Sequence, residues 1–456
     1  MSEWNGKRAV VIGLARQGKA LARYLAGRGA KVILSDIKPV DELQAEMSEL
    51  ADLKIEYELG GHPMSLLENC EALFLSGGVP ADLPIAREAR RRGIQVSNDA
   101  QLFLEACPAH VIGITGSAGK TTTTSLVARM AARSNEGTDR KVWLGGNIGR
   151  PLLIDLDRMK AGDLAVMELS SFQLEVMTVS PAIAGVLNLS PDHLDRHGTM
   201  KAYTAAKQRI LEYQDANDWA VLSHEDPQVW SWKDRVHGHL ASFGRDDPGL
   251  PYSTFLDGEV LYLRMGAGVE PICTIDQIRL RGRHNLLNIL AACMLAGLGG
   301  VDPRAMEEVA RTFAGVPHRL EFVREVNGAA WYNDSIATTP GRAMAAVQAF
   351  DEPIVLMLGG HDKDLPWREF LQQVLPRATH LVLFGEAGPK IEAVARAIDP
   401  DIQLEMASGL EEAVYLADRA AGPGMVVLLS PGCTSFDEFS NYEERGERFK
   451  EWVRSL

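Results

Sequence analysis

Apolar residues in this chain gather in short runs, and amphipathic stretches of helical period separate them. In the first hundred residues, AVVIGL (9–14), KVILSD (31–36), ALFLSG (72–77) and GIQVS (93–97) are predicted strands. This βαβα alternation argues for a parallel sheet with helices on both faces. The basic run Arg87–Arg92 reads as the solvated C-terminal end of a helix, where cations are favoured.

A second unit opens at Cys107-Pro108, with predicted strands HVIGIT (110–115), DLAVMEL (163–169), AIAGVLNL (182–189) and WAVLS (219–223). From Ser242 to Arg281 the pattern changes to hairpin signals, DGEVLYLRM and then GAGVEP, which predict a small antiparallel insertion. NLLNILAACMLAGL (285–298) then reads as a buried helix. A third unit starts near Gly315-Val316-Pro317, with strands expected at PIVLMLGG (353–360), THLVLFG (379–385) and MVVLLSPG (425–432). The expected fold is α/β in three domains. These are a Rossmann-like domain over 1–106, a central α/β domain over 107–316 carrying the β insertion, and a Rossmann-like domain over 317–456.

Composition narrows the function classes. With 456 residues, 46% hydrophobic and 24% charged, the chain reads as a soluble multidomain protein. A net charge of −14 argues against a nucleic-acid scaffold, so any polyanion must be met by local cations and backbone amides. Cysteines 70, 107, 273, 293 and 433 are scattered without a CxxC pair and read as reduced thiols. No apolar stretch suits a signal peptide or a membrane span, so a cytoplasmic protein without membrane insertion is expected.

The strongest chemical signal is GITGSAGKTTTT (113–124), a strand leading through Gly116-Ser117-Ala118-Gly119-Lys120-Thr121 into a helical stretch. Glycines let backbone amides close on phosphate oxygens, and a helix N-terminus favours an anion. Lys120 would reach the β- and γ-phosphates and the Thr121 hydroxyl would meet Mg²⁺. A glycine-rich turn with an incidental lysine is the plain alternative, and GKT at the helix start weighs against it. One feature departs from the usual pattern: Ile114 stands where GxxxxGK[ST] has its first glycine.

Other stretches are less specific. GLARQG (13–18), with Ala15 at the middle glycine and Asp36 ending the next strand, fits a nucleotide over the turn or ligand-free packing equally well. Glu168 ends an apolar strand and is either a Mg²⁺ candidate or a surface carboxylate. NLSPDHLDRHGTM (188–200) holds Asp192, His193, Asp195 and His197. His193 and His197 have the spacing of a zinc pair, but the Pro-containing turn and His-Gly ending speak against a regular helix. Magnesium with phosphate is the preferred reading there. On an amphipathic helix over 202–211, Lys207 taken alone reads as a solvated lysine.

Together GITGSAGKTTTT, GGNIG (145–149), ELSSFQLE (168–175), HLDRHG (193–198), YTAAKQRI (203–210), RGRHNLLN (281–288), PHRLE (317–321) and NDSIATTP (333–340) resemble the Mur ligases, ATP-dependent amino-acid ligases of peptidoglycan synthesis. The resemblance spans essentially the whole chain, and a glycine at 116 is the family's own form of the loop. LLSPGCTSFDEFSNYEERGERF (428–449) is similar to the ending of the glutamate-adding branch. The D-N-P-R signature of the diaminopimelate-adding enzymes is missing, as is the D-D-Y-x-H-H-P of the alanine-adding ones.

The resemblance implies ATP-dependent addition of D-glutamate to UDP-N-acetylmuramoyl-L-alanine through an acyl phosphate, serving cell-wall synthesis, cell shape and division. It implies a P-loop-type ATPase as the central domain over 107–316, and a monomer with two Mg²⁺ ions. ATP would be held by Gly116, Ser117, Gly119, Lys120, Thr121, Thr122, Asn285, Arg319 and Asp334. Thr121, Glu168, His193 and a carbamylated Lys207 would hold the metal, with Lys120, Glu168, His193, Lys207 and Arg319 catalytic. Gly13, Arg16, Gln17, Gly18, Asp36, Gly78 and Asn147 would meet the UDP substrate, and Thr338, Lys363, Ser435 and Tyr442 the glutamate. The third domain is expected to close over the centre and exclude water.

Three departures bear on the acceptor. The family's glutamate ligases read N-D-S-K-A-T, and here Ile336 takes the lysine position; Tyr442 stands where phenylalanine is common, and GGHDK (359–363) varies the usual loop. An L-glutamate ligase is therefore the alternative, with a non-catalytic nucleotide-binding protein less favoured because Lys120, Glu168, His193 and Lys207 are all present. A dehydrogenase based on GLARQG and Asp36 lacks a catalytic Lys/His set.

Overall fold

The computed structural model describes residues 4–280, 282–362 and 365–456. The chain forms two compact units, divided between Phe313 and Ala314.

In the first unit, β1 (Arg8–Ile12), β2 (Lys31–Asp36), β3 (Ile55–Leu59), β4 (Ala72–Leu75) and β5 (Gln95–Ser97) make an all-parallel sheet. Its order is β3-β2-β1-β4-β5. Strands β1 and β4 are apolar and almost wholly buried, whereas β3, IEYEL, alternates half-buried and exposed residues and takes an edge. Strand order reverses between β1 and β4. The turns after these two strands therefore flank the crevice where such sheets bind ligands.

The second sheet contains β6 (His110–Thr115), β7 (Val142–Gly146), β8 (Leu164–Glu168), β9 (Ile183–Val186), β10 (Trp219–Ser223) and β11 (His239–Phe243). It continues through β12 (Tyr252–Asp257), β13 (Val260–Met265) and β14 (Gly268–Thr274), in the order β14-β13-β12-β11-β10-β9-β6-β8-β7. Strands β6 to β12 run parallel; β13 and β14 are antiparallel. The expected antiparallel insertion is present, but as a continuation of the parallel sheet, joined where Ser242 and Phe243 pair with Ser253 and Thr254. Gly258 and Gly266, at φ 60 and 64, make its two reversals.

One apolar core runs through both sheets, from Leu21, Phe74 and Phe103 to Leu152, Met167 and Tyr203. The helix Asp99–Ala106 carries the chain from one sheet to the other. Asn98 caps it by accepting from Gln101 N at 2.9 Å, and donates its own amide to Gln173 O at 2.8 Å. Helix Arg283–Leu298 is apolar on nearly every side, as its burial from Asn288 to Ala296 requires, and packs against helix Lys120–Ser134.

The second unit holds β15 (Glu321–Val326), β16 (Ala329–Asn333), β17 (Ile354–Gly359), β18 (Ala378–Phe384), β19 (Leu404–Met406) and β20 (Val426–Gly432). Their order is β15-β16-β20-β17-β18-β19, parallel except for the β15–β16 hairpin. That hairpin is additional to the expected strands and turns at Asn327-Gly328, with φ 51 and 80. Two apolar layers cover the sheet, one around Trp367 and Ile391, the other around Trp331 and Phe449.

All five cysteines are free. No helix among the described residues is long and apolar enough to cross a membrane.

Candidate functional site

The loop between β6 and helix Lys120–Ser134 is held from three sides. Asn188 accepts from Ala118 N at 2.9 Å and donates to Ala118 O at 3.0 Å. The Ser117 hydroxyl donates to Ser190 O and lies 2.9 Å from the Tyr203 hydroxyl. Gly119, at φ 81, presses so closely on Asn288 that a Cβ would fall 2.2 Å from Oδ1. Lys120 Nζ curls over the loop to Gly116 O at 2.9 Å and Ser117 O at 3.0 Å. Thr122 is buried in the first turn, and Asn285 accepts from Asn288 Nδ2 at 3.2 Å. Asn188 and Asn288 were not singled out as loop scaffolds, although each is a polar interruption in or beside an apolar run.

Glu168 is the node of the site. It ends β8 beside β6, in register with Ile114, and is 2% exposed. Oε2 accepts from the Thr121 hydroxyl at 2.7 Å and Oε1 from Asn147 Nδ2 at 2.8 Å. Of the two readings open at this position, a surface carboxylate is excluded by that burial.

Lys207 is likewise no solvated lysine: on helix Met200–Glu212 it is 1% exposed. Nζ donates to Gly116 O at 2.8 Å and sits over the Tyr203 ring, 4.8 Å from its centroid. Burial, helped by the positive charge of Lys120, pulls its pKa down to about 7. Much of this amine is therefore neutral near neutral pH, which a surface lysine is not.

The histidine segment is irregular, as the Pro-containing turn suggested. His193 is in the left-handed region at φ 52 and caps the single turn Leu194–His197. Its ring lies 3.4 Å from Asp192 Oδ2 and 5.0 Å from the Phe172 ring centroid. His197 bonds the Ser171 hydroxyl at 2.9 Å and stacks on Phe172, so it is committed to packing. Among the described residues no three His, Cys, Asp or Glu side chains converge as a metal cluster. The Asp195 side chain and Lys363 lie outside the described residues.

At the first sheet, the turn after β1 is pinned by Asp36: Oδ2 accepts from Leu14 N at 2.7 Å, and Oδ1 from Lys38 N at 3.0 Å. A Cβ at Gly18 would lie 1.8 Å from Gly13 O, so close helix-to-turn packing by itself requires that glycine. Gln17 is buried and accepts from Gly77 N at 2.7 Å, joining the turns after β1 and β4. Two arginines then reach between the sheets. Arg16 donates to Asn147 O at 3.5 Å, and Arg196 to Gly78 O at 3.4 Å. Contacts thus run from the first crevice through Arg16 and Asn147 to Glu168 and the phosphate-type loop.

In the second unit, Arg319 lies between two left-handed residues, His318 at φ 63 and Leu320 at φ 44, and its Nε is buried without a hydrogen-bond partner. Asp334 accepts from Leu320 N at 3.2 Å and from the Ser430 hydroxyl at 2.7 Å. Burial raises its pKa to about 7. Arg445, wholly buried, donates to the Ser335 hydroxyl at 2.9 Å, Ser335 O at 2.8 Å and Cys433 O at 3.0 Å. The Ser335 hydroxyl in turn donates to Tyr442 O at 2.9 Å, and Gly432 N to Ala337 O at 2.8 Å. The segments carrying Thr338, Ser435 and Tyr442 are thereby gathered round one cation that sequence reasoning missed. A lone arginine in a charged helix offers no pattern that marks it as buried.

Comparison with known proteins gives a consistent picture. Residues 7–98 match the Mur ligase MurD-like N-terminal domain, 114–296 the Mur ligase middle domain, and 318–433 the Mur ligase glutamate ligase domain. The chain is 41% identical to a UDP-N-acetylmuramoylalanine--D-glutamate ligase of Symbiobacterium thermophilum, covering 99% of this chain and 98% of that one. It is 39% identical to the protein of the same name from Pelotomaculum thermopropionicum, over 100% and 99% of the two chains. Among solved structures, the UDP-N-acetylmuramate-alanine ligase MurC of Thermotoga maritima shares the fold, with TM-score 0.56, 20% identity and coverage of 98% and 99%. A pseudomurein peptide ligase type C from Methanothermus fervidus aligns with TM-score 0.54 and 18% identity over 99% and 100% of the chains.

Proposed function

The chain belongs to the Mur ligase family, and from that premise we propose that it joins D-glutamate to UDP-N-acetylmuramoyl-L-alanine at the expense of ATP. The relatives that carry this name match along their whole length, which supports the reading for the full chain. The single observation that carries the chemistry is the Thr121–Glu168–Asn147 linkage beside a buried Lys207. A module that only bound nucleotide would have no use for that set.

The contacts support a division of roles among the site residues. The loop amides and Lys120 hold the ATP phosphates, and Asn285 with Arg319 and Asp334 the rest of the nucleotide. Gly13, Arg16, Gln17, Gly18, Asp36 and Gly78 cradle the UDP moiety; Asn147, bonded to both Arg16 and Glu168, orients the muramyl end toward the loop. The alanyl carboxylate attacks the γ-phosphorus of ATP, ADP leaves, and an acyl phosphate forms. The glutamate amine then attacks the carbonyl, phosphate departs and the amine proton is released, leaving the amide. Lys120 and Arg319 offset the repulsion between the two anions in the first step.

Magnesium fits this donor set, because a buried carboxylate with hydroxyl and carbamate oxygens suits a hard cation. Thr121, Glu168, His193 and carbamylated Lys207 would hold two ions, which supply charge neutralisation when bound. The amine of Lys207 favours the modification: neutral near pH 7, it can attack CO₂ and lose a proton to give an anionic carbamate. Thr338, Lys363, Ser435 and Tyr442 form the glutamate pocket. The three segments 1–106, 107–316 and 317–456 divide the work into UDP binding, ATP chemistry and amino-acid binding. A monomer in the cytoplasm, where ATP and UDP-sugars are made, completes the reading.

An amino-acid panel tests it. Phosphate release should require UDP-N-acetylmuramoyl-L-alanine and D-glutamate together. Release with L-glutamate instead would move the chain to the alternative specificity, and no release with any amino acid would remove the ligase reading.

A further inference from the structure

We infer that Arg342 binds a carboxylate of the incoming glutamate, standing in for the lysine absent at position 336; the inference rests on the glutamate-ligase reading above. A dicarboxylate acceptor needs cationic donors. Of the residues proposed for its pocket, Thr338, Ser435 and Tyr442 carry no positive charge, so Lys363 alone would face two carboxylates. Buried Arg445 already donates to Ser335 and Cys433. At the motif position where the family's glutamate ligases carry lysine, the chain has Ile336.

The geometry brings a cation to the backbone of that segment. Arg342 lies in the first turn of helix Pro340–Val347, and Nη1 donates to Ile336 O at 3.4 Å. The same oxygen accepts from Thr338 N at 2.9 Å, so the guanidinium stands beside the pocket threonine. Helix stability does not account for it, because a cation in the first turn opposes the helix dipole. Nor does an ion pair: among the described residues no carboxylate lies within salt-bridge distance of it. The side chain is exposed and one long bond occupies a single arm of its planar fork, so the remaining donors face solvent. Its charge also reaches Asp334, acting with Arg319 against the burial that raises that carboxyl.

Steady-state kinetics of the full chain with UDP-N-acetylmuramoyl-L-alanine, ATP and D-glutamate test the assignment. Arg342→Ala should raise the KM for glutamate by about tenfold to a hundredfold, while the KM values for ATP and the UDP substrate stay as in the unaltered enzyme. Ile336→Lys combined with Arg342→Ala should recover most of the loss. An unchanged glutamate KM in Arg342→Ala, a rise confined to ATP, or a double variant no better than the single one overturns the inference. If the unaltered enzyme forms no amide with glutamate, the ligase reading itself falls, and this inference with it.

Discussion

The Thr121 hydroxyl donates a 2.7 Å hydrogen bond to Glu168 Oε2, joining the first turn of the helix after the phosphate-type loop to the end of β8. Two neighbouring strands thus place a hydroxyl and a carboxylate on one spot. Asn147, held by the other carboxylate oxygen, brings the substrate crevice to the same point.

Glu168→Gln keeps the size of the side chain and much of its hydrogen bonding but removes the charge. It should lower kcat by roughly a hundredfold or more and shift the Mg²⁺ dependence to higher concentration, with little change in thermal unfolding. A magnesium titration with calorimetry checks this, and an unaltered magnesium curve would show that Glu168 is not at the metal.

Lys207 links burial to pH. Its depressed pKa, about 7, means the amine is largely neutral above that pH and protonated below it, and only the neutral amine takes up CO₂. Enzyme kept free of CO₂ should therefore lose activity, and bicarbonate should restore it above pH 7 but progressively less below. Lys207→Ala should lose activity by about a hundredfold or more, with partial recovery on adding small carboxylates. Normal turnover of Lys207→Ala would refute the carbamate role.

Gly119→Ala places a Cβ 2.2 Å from Asn288 Oδ1 at a backbone φ of 81. The left-handed strain costs about 1–2 kcal/mol, and the loop must shift to relieve the clash. Weaker ATP binding and a lower Tm are expected. Adding Asn288→Ala should recover part of the ATP affinity by removing the clash, though not the strain.

Much of this was legible in the pattern of the chain, and the exceptions have physical reasons. Buried parallel strands such as β1, β6, β17 and β20 are continuous apolar runs and stand out. Strands β3, with its half-exposed IEYEL, and β15, with EFVREV, lie at sheet edges where one face meets water, and their apolar signal is diluted. Asn327-Gly328, which makes the β15–β16 turn, is a hairpin signal that the sequence reading passed over. Within the site, GKT speaks for itself, whereas the strand-end Glu168 stood open between a metal ligand and a surface carboxylate until its burial decided it. Lys207 could not stand out, because nothing in its helix separates a buried lysine from an exposed one; the β6 loop and Tyr203 that enclose it are distant in sequence. Arg445 escaped for the same reason.

The central claim is that the loop at Gly116–Thr121 serves phosphoryl transfer to a carboxylate. The direct measurement uses UDP-N-acetylmuramoyl-L-alanine labelled with ¹⁸O in its alanyl carboxylate, turned over with ATP and D-glutamate. An acyl phosphate passes one carboxylate oxygen to the phosphate, so each amide formed should yield inorganic phosphate carrying one ¹⁸O. Phosphate released without the label, while amide accumulates, would contradict the account.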